Sequence, residues 1–380
     1  MHINKINRLT IAIVMVLSLG ACGSGGKTSF AWDGGDTLAL RYAENLTVVR
    51  YDSFTVATLR NPWDTTHILH TYVLVPRQAP VPARRPHGSV IRIPLERSMV
   101  FSSVHCGLLN ELGVLSRLAG VCDLKYISLP EVEEGCRTGR IVNAGDGMNP
   151  DMEKIINLHP DAILLSPFEN SGGYGQLDNL DVPLVECADY METSALGRAE
   201  WMRFYGLLYG CQARADSLFA RIEHGYMTLK RAAATVSHRP TVLAELKNGS
   251  AWYVPGGRSV SGRLYADAGA DYVFASLKAG GSQPLSFEAV YDKAREADIW
   301  VFKYNTAADK TYSGLKHDFA PYAAFKAFAQ RNVYACHTGK TLYYEEAPFH
   351  PDYLLADLIR IFHPGLLPDD SLRYFSKLAE

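Results

Sequence analysis

The residues of this chain that could do chemistry are seven cysteines, twelve histidines and a few aromatic clusters. Cys22 follows Leu19-Gly20-Ala21, where small residues fit a narrow peptidase groove and the thiol offers a point of lipid attachment. The histidines spell no metal motif: HExxH is absent, and His159, His337, His350 and His363 stand beside proline or in loops without ligand spacing. No Gly-x-Ser-x-Gly elbow or Walker A loop occurs. Glu345-Glu346 and Asp369-Asp370 are adjacent acids rather than facing ones, the pattern of a solvated face. What is left is recognition chemistry, carried by Ser103, His105, Tyr126, Met148, Asn149, the pair Trp252-Tyr253 and the run Tyr343-Tyr344-Glu345.

Ahead of Cys22, Lys5 and Arg8 precede an almost wholly apolar run from Leu9 to Leu19. That run is shorter than the roughly 20 apolar residues a permanent span needs, so residues 1–21 read as a cleavable signal. Leu19-Gly20-Ala21-Cys22 resembles a bacterial lipobox, which implies a lipoprotein signal peptide at residues 1–21 and Cys22 as the lipidated first residue. A plain secretory signal with an incidental cysteine is the alternative. Residues 22–36 form a tether through Ser24-Gly25-Gly26. Cleavage removes Lys5 and Arg8 from 38 basic residues and no acid, so 36 basic face 40 acidic residues, a charge of −4. This balance gives no sign of a nucleic-acid binder, and 47% hydrophobic with 11% aromatic residues describes a folded chain of two or three units. An exported chain can oxidise its thiols. Cys106, Cys187 and Cys211 lie in apolar patterns and read as packing residues. At most one bridge is expected, with Cys122 and Cys136 the pair.

These residues need elements to position them. Residues 37–95 read as a β-rich amino-terminal section, with runs such as Leu46-Thr47-Val48-Val49 and Thr71-Tyr72-Val73-Leu74-Val75. From Ser98 strands alternate with helical stretches, the texture of a sheet with helices on its faces. Residues 96–195 form a first α/β lobe with strands at Met99–Phe101, Leu118–Val121, Asp161–Leu165 and Val182–Val185, and a helix at Met152–Leu158. Phe204, Leu208, Cys211, Ala215, Leu218, Ile222, Tyr226 and Leu229 recur every three or four residues, so residues 196–238 read as one long helical backbone. Residues 239–380 form a second α/β lobe. Glu153 before Asp161-Ala162-Ile163 and Glu288 before Asp298-Ile299-Trp300 echo each other across the two lobes.

In this order the pieces resemble the periplasmic binding proteins of ABC importers for iron-siderophores, haem and cobalamin. The resemblance covers about Ser98 to Leu367. It rests on Val100-Phe101-Ser102-Ser103, Glu111-Leu112-Gly113, Ala119-Gly120-Val121, Gly147-Met148-Asn149-Pro150 before Glu153, and His159-Pro160-Asp161-Ala162-Ile163. In the second lobe it rests on Ala268-Gly269-Ala270, Leu285-Ser286-Phe287-Glu288, Arg331-Asn332-Val333-Tyr334 and Tyr343-Tyr344-Glu345. It implies two α/β lobes joined by a long helix, with the β-rich section as an addition outside the family core. It also implies a non-enzymatic, monomeric lipoprotein, anchored in the bacterial cell envelope and facing the periplasm. Such a protein has no cofactor of its own; its cargo is a cobalt or iron chelate, delivered to an ABC permease and its ATPase. The Gly145–Asn149 loop and Tyr343–Glu345 resemble the cobalamin branch, although Gly281-Ser282-Gln283-Pro284 stands where that branch often carries a Trp. Relatives dock to the permease through one acidic residue on each lobe; Glu169 is the first-lobe candidate.

In open α/β lobes ligands sit at the carboxyl ends of strands. That rule selects Ser102, Ser103 and His105, then Tyr126, Gly147-Met148-Asn149 and Ser166–Asn170 from the first lobe. Trp252, Tyr253, Tyr343, Tyr344 and Glu345 come from the second. A flat macrocycle or aromatic chelate needs broad apolar faces with a few hydrogen-bonding groups at the rim, which aromatic side chains supply. The competing reading is structural: His105 as a helix-start packing residue, Trp252 and Tyr253 as core. In a strand, Tyr343 and Tyr344 would face opposite ways. A different class of function, an envelope lipoprotein hydrolase of glycans or peptides, would need a carboxylate or Ser/His pair that no motif provides.

Overall fold

The computed structural model describes residues 34–169, 173–369 and 371–380; the signal, Cys22 and most of the tether lie outside the described residues. Two parallel sheets organise the chain. In the first lobe the spatial order is Leu184–Glu186, Ala162–Leu165, Ser98–Val100, Leu118–Val121, Val142–Asn143, all parallel. In the second it is Asp271–Tyr272, Thr241–Ala244, Ile299–Tyr304, Val333–His337, closed by antiparallel Ser376–Lys377. Parallel strands are covered on both faces, and the first-lobe strands accordingly divide their side chains between two cores. Val100, Val121, Leu164 and Val185 join one, while Met99, Ala119, Ile163 and Leu165 join the other with Ile155 and Leu158 of the helix Met152–Leu158.

The echo between the lobes has a structural basis. Asp161 Oδ2 accepts the backbone N–H groups of Glu96 and Arg97 at 2.7 and 3.0 Å. Asp298 Oδ2 accepts the N–H of Thr241 at 2.9 Å. In each lobe an aspartate just before one strand pins the start of its neighbour.

The apolar stripe over 196–238 is not one helix. It resolves into Ala195–Glu200, Met202–Leu208 and a 22-residue helix Gln212–Ala233. Gly210, at φ +69°, turns the chain in the left-handed region that other residues avoid. The last two helices then fold against each other at Gly206, where a Cβ would come 2.6 Å from the Ala215 methyl. The stripe survives because both helices offer their apolar faces to the same core. The joining helix spans about 33 Å at 1.5 Å per residue.

Residues Asp36–Ile93 form a five-stranded sheet, antiparallel except for its last pair, Ile68–Pro76 with Ser89–Ile93. Val48, Ala57, Leu59, Tyr72, Leu74 and Ile91 bury one face in the same core as the first lobe. Two buried carboxylates fasten the stretch between its first two strands, Asp36–Thr37 and Leu46–Arg50. Glu200 accepts the N–H groups of Arg41, Tyr42 and Ala43 at 2.9, 2.7 and 2.9 Å. Glu192 accepts those of Glu44 and Asn45, both at 2.9 Å, and the Trp201 indole N–H at 2.8 Å.

The lobes also touch directly. The short helix Tyr343–Glu346 packs on Ser103–Glu111, so closely that a Cβ at Gly107 would fall 2.0 Å from the Glu345 carbonyl oxygen. The expected bridge between Cys122 and Cys136 does not form: both are free thiols, as are Cys106, Cys187, Cys211 and Cys336. Cys122 belongs to one face of the first-lobe sheet and Cys136 packs against the core on the other, so the shared loop does not bring them together. Among the described residues no helix is long and apolar enough to cross a membrane.

Candidate functional site

A cavity of about 430 Å³ opens at the carboxyl ends of the first-lobe strands. Phe101 follows the central strand, Asp123 the next, and Ser166 and Phe168 follow Ala162–Leu165. Met148 and Asn149 reach it from a two-residue ribbon, Gly145–Asp146 against Asn149–Pro150, and Met152 from the helix start beyond. Local chemistry sets these loops. Asp146 Oδ1 takes the Met148 N–H at 2.9 Å, and Asp151 caps the helix at Lys154 N, 3.1 Å away. Gly147 permits the close approach of Asp123, whose Oδ2 would lie 2.6 Å from a Cβ there. Met148 is left 85% exposed. On the far wall Tyr174 donates its hydroxyl to Glu186 Oε1 at 2.7 Å, and Asp178 accepts its N–H at 2.6 Å. Burial and the Glu186 charge push the Tyr174 phenol well up.

Glu186 links this wall to the amino-terminal sheet. Its N–H donates to the Tyr72 hydroxyl at 2.8 Å, and its Oε2 lies 3.1 Å from His70 Nδ1. His70 stacks on Tyr72 with centroids 4.4 Å apart, and its Nε2 sits 2.8 Å from Ser89 Oγ.

Of the residues singled out by sequence, the cavity brings together Met148 and Asn149, with Ser166 and Phe168 of the Ser166–Asn170 loop. Tyr126, 57% exposed, lies on the loop after Asp123 with the Lys125 ammonium 4.9 Å over its ring. Ser102 caps the helix Ser103–Glu111 by accepting the Val104 N–H, and Ser103 is its half-buried first residue. Three candidates are corrected by burial. His105 is enclosed, 2.8 Å from Asp189 Oδ1 and 3.0 Å from the Tyr205 hydroxyl. Burial opposes its charge, but Cys187 and Asp189 outweigh that and push it up to about 10. Trp252 lies inside the second-lobe core, its indole N–H on the Ala244 carbonyl at 3.0 Å and its ring against Trp300, Tyr322 and Phe325. Glu345 is buried at the lobe junction, where Oε1 accepts the Ser128 N–H at 2.9 Å.

Strand alternation in Ala251–Pro255 that buries Trp252 exposes Tyr253 to 48%. Tyr343–Glu346 is a helical turn rather than a strand; Tyr343 rests partly buried against Tyr374, and Tyr344 is 45% exposed. Glu169 is exposed beside Phe168. Among the described residues none from the second lobe lines the 430 Å³ cavity. The second lobe instead presents an ion pair at its own strand ends, between Glu245, at φ +65°, and Lys303. Burial pulls the Lys303 ammonium down, and Glu245 holds it well above its ordinary value. Sequence reasoning passes over Phe101, Asp123, Tyr174 and this pair. The signals were a carboxylate one residue beyond Val121-Cys122 and a tyrosine set between glycines at 173 and 175. Among the described residues no group of three or more His, Cys, Asp or Glu is placed to hold a bare metal ion.

Two α/β lobes joined by a helix, with an aromatic pocket where strands end, define a two-lobed solute-binding protein. The chain belongs to the periplasmic binding protein family, whose model matches residues 100–338. It is 26% identical over 365 residues to an uncharacterized lipoprotein of Methanocaldococcus jannaschii, covering 90% of this chain and 86% of that one. A periplasmic haem-binding protein from Pseudomonas aeruginosa superposes with a TM-score of 0.57 at 16% identity, over 75% of this chain and 99% of its own. An ABC-type Fe3+-hydroxamate transport protein from Saccharomonospora viridis does so at 0.55 and 17%, over 71% and 94%. The fold is therefore the two-lobed one, with the sheet at 36–93 ahead of the matched span.

Proposed function

We propose that this chain is the substrate-binding lipoprotein of an ABC importer. It captures a metal chelate and delivers it to an inner-membrane permease powered by its ATPase. The observation that carries the reading is the pocket at the first-lobe strand ends, with Phe101, Met148, Phe168 and Tyr174 around it, in a member of the periplasmic binding protein family. Aromatic and thioether walls suit the apolar face of a chelate, and the lack of a donor cluster among the described residues speaks for a pre-formed chelate over a bare ion. A corrinoid is the first candidate, with a ferric siderophore or haem next. Tyr253 and Tyr344 are the second-lobe surfaces offered to it, and a modest closure about the joining helix brings them in. Cys22 carries the lipid and holds the monomer at the envelope, facing the periplasm, and Glu169 offers a first-lobe contact to the permease. No catalysis is part of this role.

Titration of the purified mature chain with cyanocobalamin, haemin and a panel of ferric siderophores tests it. Tight binding of one class is expected. Absence of binding to all of them, with turnover of an envelope glycan or peptide, would overturn it.

A further inference from the structure

The charges around the pocket narrow the cargo. Its described lining contains one ionisable acid, Asp123, and no Lys, Arg or His. The Asp123 carboxylate has no ion-pair or hydrogen-bond partner among the described residues, and its backbone is held at φ +54° by the bond from its N–H to the Gly145 carbonyl at 2.7 Å. The flanking loops add one further acid: Asp178 takes the Tyr174 N–H and keeps its charge beside the pocket, whereas Asp146, which takes the Met148 N–H, shares its charge with Lys125 3.8 Å away. The two first-lobe ammonium groups nearest in sequence are already committed: Lys125 to Asp146 at 3.8 Å and the Tyr126 ring, Lys154 to Asp151 at 3.6 Å and the Asn143 carbonyl. The residues between Glu169 and Gly173 are Asn, Ser and Gly, so the sequence adds no charge there.

A pocket whose described lining is apolar, with one unpaired carboxylate and no cation, repels an anionic chelate and favours a neutral or positive one. Carboxylate and catecholate chelates bring negative charge that only Lys, Arg or a nest of N–H donors offsets. We infer that the first-lobe pocket is built for a neutral or cationic chelate, such as a ferric hydroxamate or a corrinoid, with Asp123 as the residue that selects by charge. This inference rests on the proposed function and sharpens it: haemin, with its two propionates, and ferric tricatecholates fall outside the class.

The test is a set of titrations of the mature protein at low and high salt. The probes are ferrioxamine B, which carries an ammonium, neutral ferrichrome and cyanocobalamin, haemin, and ferric enterobactin as the tri-anion. At least one neutral or cationic probe should bind about tenfold or more tighter than either anionic one. Added NaCl should narrow the gap, because screening weakens the repulsion. Asp123→Asn, which keeps the side-chain size, should shift the ratio of anionic to cationic affinity by roughly tenfold toward the anion. Should the variant misfold, the salt series on the unaltered protein still decides. Haemin or ferric enterobactin binding as tightly as the best neutral or cationic probe overturns this inference and leaves chelate capture standing. Binding of none of the five overturns both.

Discussion

In a Glu186→Gln variant the pocket wall at Tyr174 should loosen while the fold persists. The Tyr174 hydroxyl donates to Glu186 Oε1 at 2.7 Å in a largely buried setting, and His70 Nδ1 faces the other oxygen at 3.1 Å. A hydrogen bond to a charged group contributes about 1.5–3 kcal/mol and a neutral one about 1. Glutamine keeps one acceptor, so the expected loss is the difference, about 0.5–2 kcal/mol. Tyr174→Phe removes the bond outright and strands a buried carboxylate oxygen, at a cost of about 1–3 kcal/mol. If the ligand leans on this wall, part of each loss reappears in affinity, about 3- to 30-fold in Kd at 1.4 kcal/mol per decade. His70→Ala, at a residue that lies outside both the cavity lining and the span matched to the family and reaches this wall only through Glu186, should weaken binding in the same direction by about 2- to 5-fold. The assay is fluorescence titration with whichever chelate binds, alongside urea unfolding. The double variant Glu186→Gln/Tyr174→Phe should fall short of the sum of the single effects, since both act on the same bond. Affinities within twofold of the parent in all three single variants, with stability lowered, would show Glu186 to be a fastening of the fold and no more.

Four further outcomes follow from other parts of the structure. Trp252→Ala should cost about 3–5 kcal/mol in urea unfolding, the usual range for emptying a buried aromatic site. Tyr344→Ala should change stability by under about 0.5 kcal/mol, the usual surface range, and weaken chelate binding; equal affinity in this variant would remove Tyr344 from the site. Stability should decline from pH 6.5 toward 9 and above. His350, with ring nitrogens 3.5 Å from Glu111 and Asp352, is pushed up to about 9 against its burial, and His105 up to about 10. The folded state therefore binds more protons in that window, and the stabilisation present below 6.5 is lost as pH rises through the folded values. His350 accounts for on the order of 3 kcal/mol of it, so His350→Gln should flatten the profile of urea midpoints. Finally, Gly107→Ala must push Tyr343–Glu346 away from Ser103–Glu111; a loss of about 1–3 kcal/mol is expected, with a change in lobe spacing by small-angle scattering.

Much of the scaffold is legible in the amino-acid order because its signals are local. Leu118–Val121 and Met152–Leu158 form where apolar spacing, an Asp cap and a left-handed His159 mark their limits. The break at Gly210 is hidden because two helices packed face to face continue one stripe, and periodicity does not record a reversal of direction. Tyr343-Tyr344 is too short for either period to show itself, and becomes a helical turn because it must nest on Gly107. Trp252 and Tyr253 illustrate a parity problem: alternation says that one is buried and one exposed, and only the partner strand says which. Met148 and Asn149 are visible behind a glycine turn. Asp123 and Tyr174 are not, because what makes them site residues is the folding of separate loops around one strand edge.

The amino-terminal sheet is harder to place from sequence than any other part, and its attachment explains why it belongs with the pocket. Five successive backbone N–H groups, from Arg41 to Asn45, are taken by just two carboxylates, Glu200 and Glu192. Burial raises the Glu192 carboxyl above its usual value, while its bonds to Glu44, Asn45 and Trp201 oppose that rise. A carboxylate buried without such donors would be costly, so neither glutamate fits its place unless the segment 41–45 is present. The dependence runs both ways, since the N–H groups of the buried Ala43 and Asn45 would otherwise be stranded. The first lobe and the sheet ahead of it therefore fold as one unit with a shared core. From that unit Tyr72 and His70 reach Glu186, and through it the Tyr174 wall. A segment outside the family span thus braces one wall of a pocket inside it, through Tyr72 and His70 on Glu186 and Glu186 on Tyr174.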